Sequence, residues 1–237
     1  MNRTLKVTKL HLNKWENFIG TPVIILAVVM AITLIIQIAI QRATGISGTD
    51  PEYIEGARWN QAIMWALPGF LVYYGVQAVA TTYPFALALG TTRRNFIGGT
   101  MISNALQAIF ITVLLVALLG IELATGHWFI GLYVLDVHLL GAGNVGVLAA
   151  TSFLGVMFCL TVGGLFGAVW VRFGSMGPAF LGLGAGLALA LTLLILAPRL
   201  GEIFTGLTGG AVAVAAIVVI VVALAGTWFA MRRASVR

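Results

Sequence analysis

The chain has 237 residues, of which 60% are hydrophobic and only 8% are charged, against roughly 25% charged in soluble globular domains. A mean hydropathy of +1.06 excludes both a water-soluble domain and a disordered acidic chain and leaves a polytopic membrane protein, all-α and embedded as a single domain over 1–237. The formal charge is +6, with one cysteine and three histidines, so no disulfide framework and no Cys/His metal cluster can be built.

The first 19 residues precede any apolar run. Leu5, Leu12, Trp15 and Ile19 recur near helical spacing, while Lys6, Lys9, Asn13 and Asn17 take another face. This pattern predicts an amphipathic helix lying at the inner membrane interface. A short strand over Leu5–Leu12 competes, because Val7, Leu10 and Leu12 partly alternate.

About 20 apolar residues cross the hydrocarbon core as a helix. Six segments meet that length: about 21–40, 61–82, 101–121, 145–171, 177–197 and 208–230. The first reads as a retained signal anchor, being too long for a signal-peptide core and lacking a cleavage site after it. The second is the most diluted, by Pro68, Gly69, Gln77 and the Thr81-Thr82 pair.

Basic residues segregate by connection. Arg3, Lys6, Lys9, Lys14, Arg93, Arg94, Arg172, Arg232, Arg233 and Arg237 fall on one side with Glu16 as the only acid there; Arg42, Arg58 and Arg199 share the other side with six acids. The positive-inside rule therefore places both termini in the cytoplasm, and it accounts for the net charge without any nucleic-acid role.

Polar side chains inside the spans are few. Thr33, Gln37, Gln77, Ser103, Asn104 and Gln107 read first as hydrogen-bonding links between helices; Gln37, Gln77, Asn104 and Gln107 are also the residues expected to line a translocation path. No carboxylate lies within a span interior to hold a coupling ion, which argues for an external energy source.

The 83–100 connection reads Tyr-Pro-Phe-Ala-Leu-Ala-Leu-Gly-Thr-Thr-Arg-Arg-Asn-Phe-Ile-Gly-Gly-Thr. Phe85, Leu89 and Phe96 sit at helical spacing, Gly90 permits a break, and Thr91 or Thr92 can cap a short helix. Arg93 and Arg94 face the cytosol, where an ordinary basic loop would obey the same topology rule.

In the 122–144 connection, Glu122, His127, Asp136 and His138 lie among Trp128, Phe129 and Tyr133. The 11-residue histidine spacing is not a metal signature, and an interfacial helix with aromatic anchors is the plainer expectation. Gly141-Ala-Gly-Asn-Val-Gly146 spells G-x-G-x-x-G but opens into a membrane span rather than a βαβ unit. Ser175, between Gly174 and Gly177, has no base at its depth and reads as a cytoplasmic turn. Small-residue ladders at Gly163/Gly167, Gly182/Gly186 and Gly206/Gly210 are packing surfaces.

The run Phe85-Ala-Leu-Ala-Leu-Gly90-Thr-Thr-Arg93-Arg94-Asn-Phe96 resembles the loop between spans two and three of bacterial ABC-2 type transporter permeases, where an L-G-x-[ST]-R-R-x-[FY]-like segment is common. The resemblance covers about a dozen residues in motif and the whole chain in topology. It implies that Leu89, Gly90, Arg93, Arg94 and Phe96 couple to a separate P-loop ATPase that binds ATP and magnesium, and that the N-terminal stretch is a connecting helix. It also implies a second permease copy or paralogue and export of a drug, lipid or peptide across the bacterial cytoplasmic membrane. The chain departs from many members in lacking a large external loop and a paired re-entrant helix between spans five and six; a compact re-entrant element in 122–144 could substitute. No G-x-x-x-x-G-K-[ST] motif occurs and the only lysines lie in the first 14 residues, so this chain has no P-loop chemistry and, on this reading, is not an enzyme. An ATP-independent channel or carrier, an accessory or immunity protein and, least, a membrane enzyme remain as alternatives.

Overall fold

The structure, a computed structural model, describes residues 3–232, so Arg233 and Arg237 lie outside it. It is all-helical, with no strand among the described residues. The helices are α1 (Arg3–Leu12), α2 (Thr21–Thr44), α3 (Pro51–Arg58), α4 (Ala62–Ala66), α5 (Pro68–Ala80), α6 (Thr82–Ala88), α7 (Arg93–Ala124), α8 (Val145–Phe173), α9 (Met176–Leu196), α10 (Leu200–Gly206) and α11 (Gly209–Arg232). Six helical stretches are long and apolar enough to cross a membrane: Glu16–Thr44, Pro51–Ala88, Arg93–Ala124, Val145–Phe173, Met176–Ile203 and Gly209–Arg232. Length and composition thus make this a multi-pass membrane protein.

The second span is broken where proline chemistry requires it. Pro68 starts α5 directly after Leu67, which keeps right-handed helical dihedrals (φ −95°, ψ −28°), while Pro84 removes a backbone donor and crowds the carbonyl four residues earlier, so the helix interrupts at Thr81. The third span is longer than the apolar run alone implies. Thr92 supplies its hydroxyl to the Asn95 N–H, and the helix begins at Arg93, eight residues before Met101.

Chain contacts divide the molecule into two compact units. Among the described residues one contains 3–8, 72–101 and 157–232. Its core gathers Val7, Val79, Tyr83, Ala86, Phe96, Ala168, Ala230 and Met231. Helix α1 is seated here by Val7, fully buried, and by the Thr8 hydroxyl donating to the Gly99 carbonyl at 3.1 Å. The strand alternative for this stretch is therefore not adopted, and Leu5 on the same helix is left exposed.

Within the same unit α5 and α8 cross at backbone contact. A Cβ on Gly163 would collide with the Val72 carbonyl and the Gly75 Cα, and one on Gly167 with the Val76 carbonyl. Glycine is required at this crossing because nothing flexible stands in the way. The other two ladders are different: a Cβ added at Gly186 or Gly206 would meet nothing within 4 Å, and one at Gly182 would meet only a Phe166 ring atom at 3.8 Å. Along α9 no residue is buried at all.

The second unit contains residues 9–71 and 102–156. It holds α2, α3, α4 and the 125–144 connection, and Phe18 packs near Phe110 with ring centroids 6.3 Å apart. His11 also belongs to this unit and is 2% exposed; burial, assisted by Lys14, pushes its imidazole down to about 4, so it is neutral at physiological pH.

The glycine crossing yields a direct test. Gly163→Leu is expected to destabilise the protein by at least about 2 kcal/mol through overpacking against backbone, whereas Gly186→Leu is expected to stay within about 0.5 kcal/mol. Thermal unfolding of the purified variants in detergent checks both; equal effects would remove the assignment of the crossing.

Candidate functional site

Two clusters carry polar and charged groups, one in each unit. The first surrounds the turn between α6 and α7. Leu89 is 62% exposed, Gly90 adopts a left-handed φ of +77°, and Arg94 is exposed at the first turn of α7. The positive φ lets the chain reverse between the two helices, a conformation that a Cβ would oppose. Phe85 is also exposed, at 55%.

Phe96, by contrast, is fully buried and lies against Tyr83 at 5.1 Å between centroids, edge to face. It anchors the turn from below. Arg93 donates from Nη1 to the Arg232 carbonyl, linking the start of α7 to the end of α11, and Arg172 donates to the Phe229 carbonyl at 3.3 Å. Both arginines thereby occupy carbonyls at the C-terminal end of α11, where cationic donors are favoured. Of the residues that the sequence groups for coupling, Leu89, Gly90, Arg93 and Arg94 are exposed, Arg93 while bonded to the end of α11, and Phe96 alone is buried.

The second cluster organises the 125–144 connection. Glu122, near the end of α7, is fully buried and its carboxylate accepts three backbone N–H groups, from Val134 at 3.1 Å, Leu135 at 2.9 Å and Asp136 at 3.2 Å. This is a charge-assisted anchor for a stretch of backbone that has no ladder partner. Six consecutive residues, Leu132 through Val137, are buried.

Asp136 takes Arg58 from α3 at 2.8 Å and His127 Nε2 at 2.9 Å on the same oxygen. Its side chain is 2% exposed. Burial alone would raise its carboxyl, but hydrogen bonds and charge from Arg58 and His127 outweigh that and hold it below the ordinary carboxylate value. His127 stacks on Tyr133 at 4.1 Å, and the Arg58 guanidinium lies 5.7 Å from the same ring centre. A second link joins His138 to Glu55 at 3.2 Å.

Gln37 belongs to this network. Its amide nitrogen donates to the Tyr133 carbonyl at 2.9 Å, and its oxygen accepts from the Tyr133 N–H at 3.2 Å and the Tyr53 hydroxyl at 3.0 Å. Of the four residues expected to line a path, Gln37 therefore ties α2 to the connection, while Gln77 bonds the Tyr73 hydroxyl one turn earlier at 3.1 Å. Asn104 and Gln107 are buried in α7, and neither amide atom of Gln107 has a hydrogen-bond partner among the described residues.

The interfacial helix expected in this connection is replaced by something tighter. His127, Trp128 and Phe129 all have positive φ, between 58° and 63°, and only a single irregular turn forms over His127–Gly131. Such a left-handed run of bulky residues costs about 1 to 2 kcal/mol per residue. The Glu122, Asp136 and Gln37 contacts over-determine the segment and offset that cost. Sequence alone places the acids and histidines in one connection but does not foresee that Glu122 caps backbone, since the three N–H groups it meets carry no side-chain signature.

No protein-family profile, curated protein or solved structure matches this chain. The arrangement offers two things a membrane protein can use: an exposed basic turn rigidly supported beneath, and a pinned cap over 125–144. Among the described residues no group of His, Cys, Asp or Glu is placed to hold a metal ion.

The cap is open to test by pH and mutation. Because folding lowers the Asp136 carboxyl, its contribution is complete at neutral pH and is lost as pH falls below about 4, through the folded value. Tryptophan fluorescence should show an acid transition that is diminished in Asp136→Asn. Arg58→Met, which leaves the buried carboxylate with His127 alone, is expected to cost about 1 to 3 kcal/mol in unfolding stability.

Proposed function

We propose that this chain is the transmembrane permease subunit of an ABC transporter, an exporter of a hydrophobic or amphipathic compound driven by a separate ATPase. The observation that carries it is the basic turn 89–94: Leu89, Gly90 and Arg94 are exposed between two membrane-length helices, above the buried Phe96–Tyr83 contact. A segment that must transmit movement into spans has to be rigid where it joins them and accessible where a partner seats.

Under this reading the positive-inside pattern puts the turn, α1 and both termini in the cytoplasm of a bacterium. Helix α1 then lies in the inner leaflet interface, presenting Leu5 to lipid and Lys6 and Lys9 to headgroups. ATP and magnesium sit on the partner chain, whose closing pushes the turn and switches the access of the spans. One six-span chain is half of a permease. The uncovered circumference of α9 leaves surface for a second copy or paralogue as well as for lipid.

A second reading, an ATP-independent channel or carrier, draws on the unpartnered amide of Gln107, which a polar path through the spans would satisfy. Purification separates the two. The tagged chain isolated in mild detergent from its native host is expected to bring down a P-loop ATPase with vanadate-sensitive hydrolysis, and Arg94→Glu to reduce the recovered ATPase at least about fivefold while insertion persists. Arg93→Glu adds loss of the α11 contact. Recovery of the chain alone, with ion flux in liposomes, would move the assignment to the second reading.

A further inference from the structure

A half-open cavity of about 770 Å³ lies within the second unit, between α2 and the α3–α4 segment. Its α2 wall runs from Val29 to Thr44, about 22 Å along the axis, and is apolar apart from Thr33, Gln37 and the terminal Thr44. The Gln37 amide is consumed by Tyr133 and Tyr53. Of the acids and bases on α3, Glu55 pairs with His138 and Arg58 with Asp136, both directed to the 125–144 connection. Glu52 is left as the one charged side chain lining the cavity, exposed and without an ion-pair partner among the described residues. Trp65, 65% exposed, also lines it and donates its indole N–H to Gln61 at 3.2 Å.

A long apolar wall with a lone carboxylate selects a ligand of one kind. We infer that this groove binds a single-tailed amphiphile with a cationic head, a long-chain amine or quaternary ammonium. The tail lies along α2, and the head is drawn by Glu52. An anionic head meets no lining base and is repelled by Glu52. The inference deepens the export reading by naming the chemistry of its cargo, yet the binding itself requires neither ATP nor a partner chain.

The test uses the purified full-length chain in nanodiscs of phosphatidylcholine, which is zwitterionic with no net charge, without ATPase. Two photolabels are compared, a hexadecyl trimethylammonium and a hexadecyl phosphate, each with a diazirine in the tail. Saturable labelling by the ammonium probe is expected in peptides spanning 29–66, exceeding that by the phosphate probe about fivefold, and Glu52→Gln is expected to abolish that preference. Gly56→Trp fills the groove from α3 at a position where an added Cβ meets nothing within 4 Å, and it is expected to remove the saturable labelling of both probes. Ala62→Leu, at an exposed helical position, narrows the same groove should Gly56→Trp misfold. Labelling spread evenly over all spans, equal labelling by the two heads, or labelling unchanged in a folded groove-filling variant would each overturn the assignment. Failure to recover an ATPase in the earlier purification leaves these outcomes intact, so the two conclusions fall separately.

Discussion

The buried carboxylate of Glu122 is the constraint on which one half of the molecule depends. Backbone N–H groups removed from water must find acceptors, and the stretch from Leu132 to Val137 is buried without belonging to a helix or sheet. Glu122 satisfies three successive donors at once. With that stretch anchored, Tyr133 is placed for Gln37 and for the His127 ring, and Asp136 for Arg58 and His127. The strained left-handed turn at 127–129 is a consequence: the chain must reverse sharply after α7 to bring residues 134–136 back over the carboxylate.

In the other unit the governing contact is steric. Glycines at 75, 163 and 167 let α5 and α8 approach until backbone meets backbone, a means of association suited to helices in lipid, where apolar side chains gain little by leaving one apolar medium for another. The same unit buries Phe96 and Tyr83 under the basic turn. A packed support below and an exposed charge above are compatible because the support is apolar and the charge is solvated. Arginines at 93 and 172 then satisfy carbonyls at the end of α11, coupling that helix to the turn and to α8.

Much of the candidate machinery was legible in the residues, but unevenly. Exposure of Leu89 and Arg94 follows from a Gly-Thr-Thr-Arg-Arg punctuation between apolar runs. The burial of Phe96 does not, because helical spacing groups it with Phe85 and Leu89 without saying which of the three faces inward. Gln37 illustrates the opposite difficulty: a lone amide in a span signals a hydrogen bond, and only the fold reveals that its partner is the backbone of Tyr133, 96 residues away. Of three glycine ladders with identical spacing, one is packed and two are largely uncovered. Spacing defines a face of a helix; it contains no information on whether another helix lies against it.

The sequence by itself determined the class of molecule. Six apolar runs of membrane length, the segregation of basic residues, the dilution of the second span and the missing P-loop are all local or compositional properties, set by hydration cost and backbone geometry within a few turns. Only the tertiary structure decided what the connections do. It replaced the interfacial helix expected in the 122–144 connection by a tight turn leading into a buried stretch at 132–137, assigned Glu122 to backbone and Asp136 to Arg58, and left Glu52 alone on an apolar groove. These outcomes depend on pairings across tens of residues, where the cost of desolvating a charge is settled by which donors happen to converge on it.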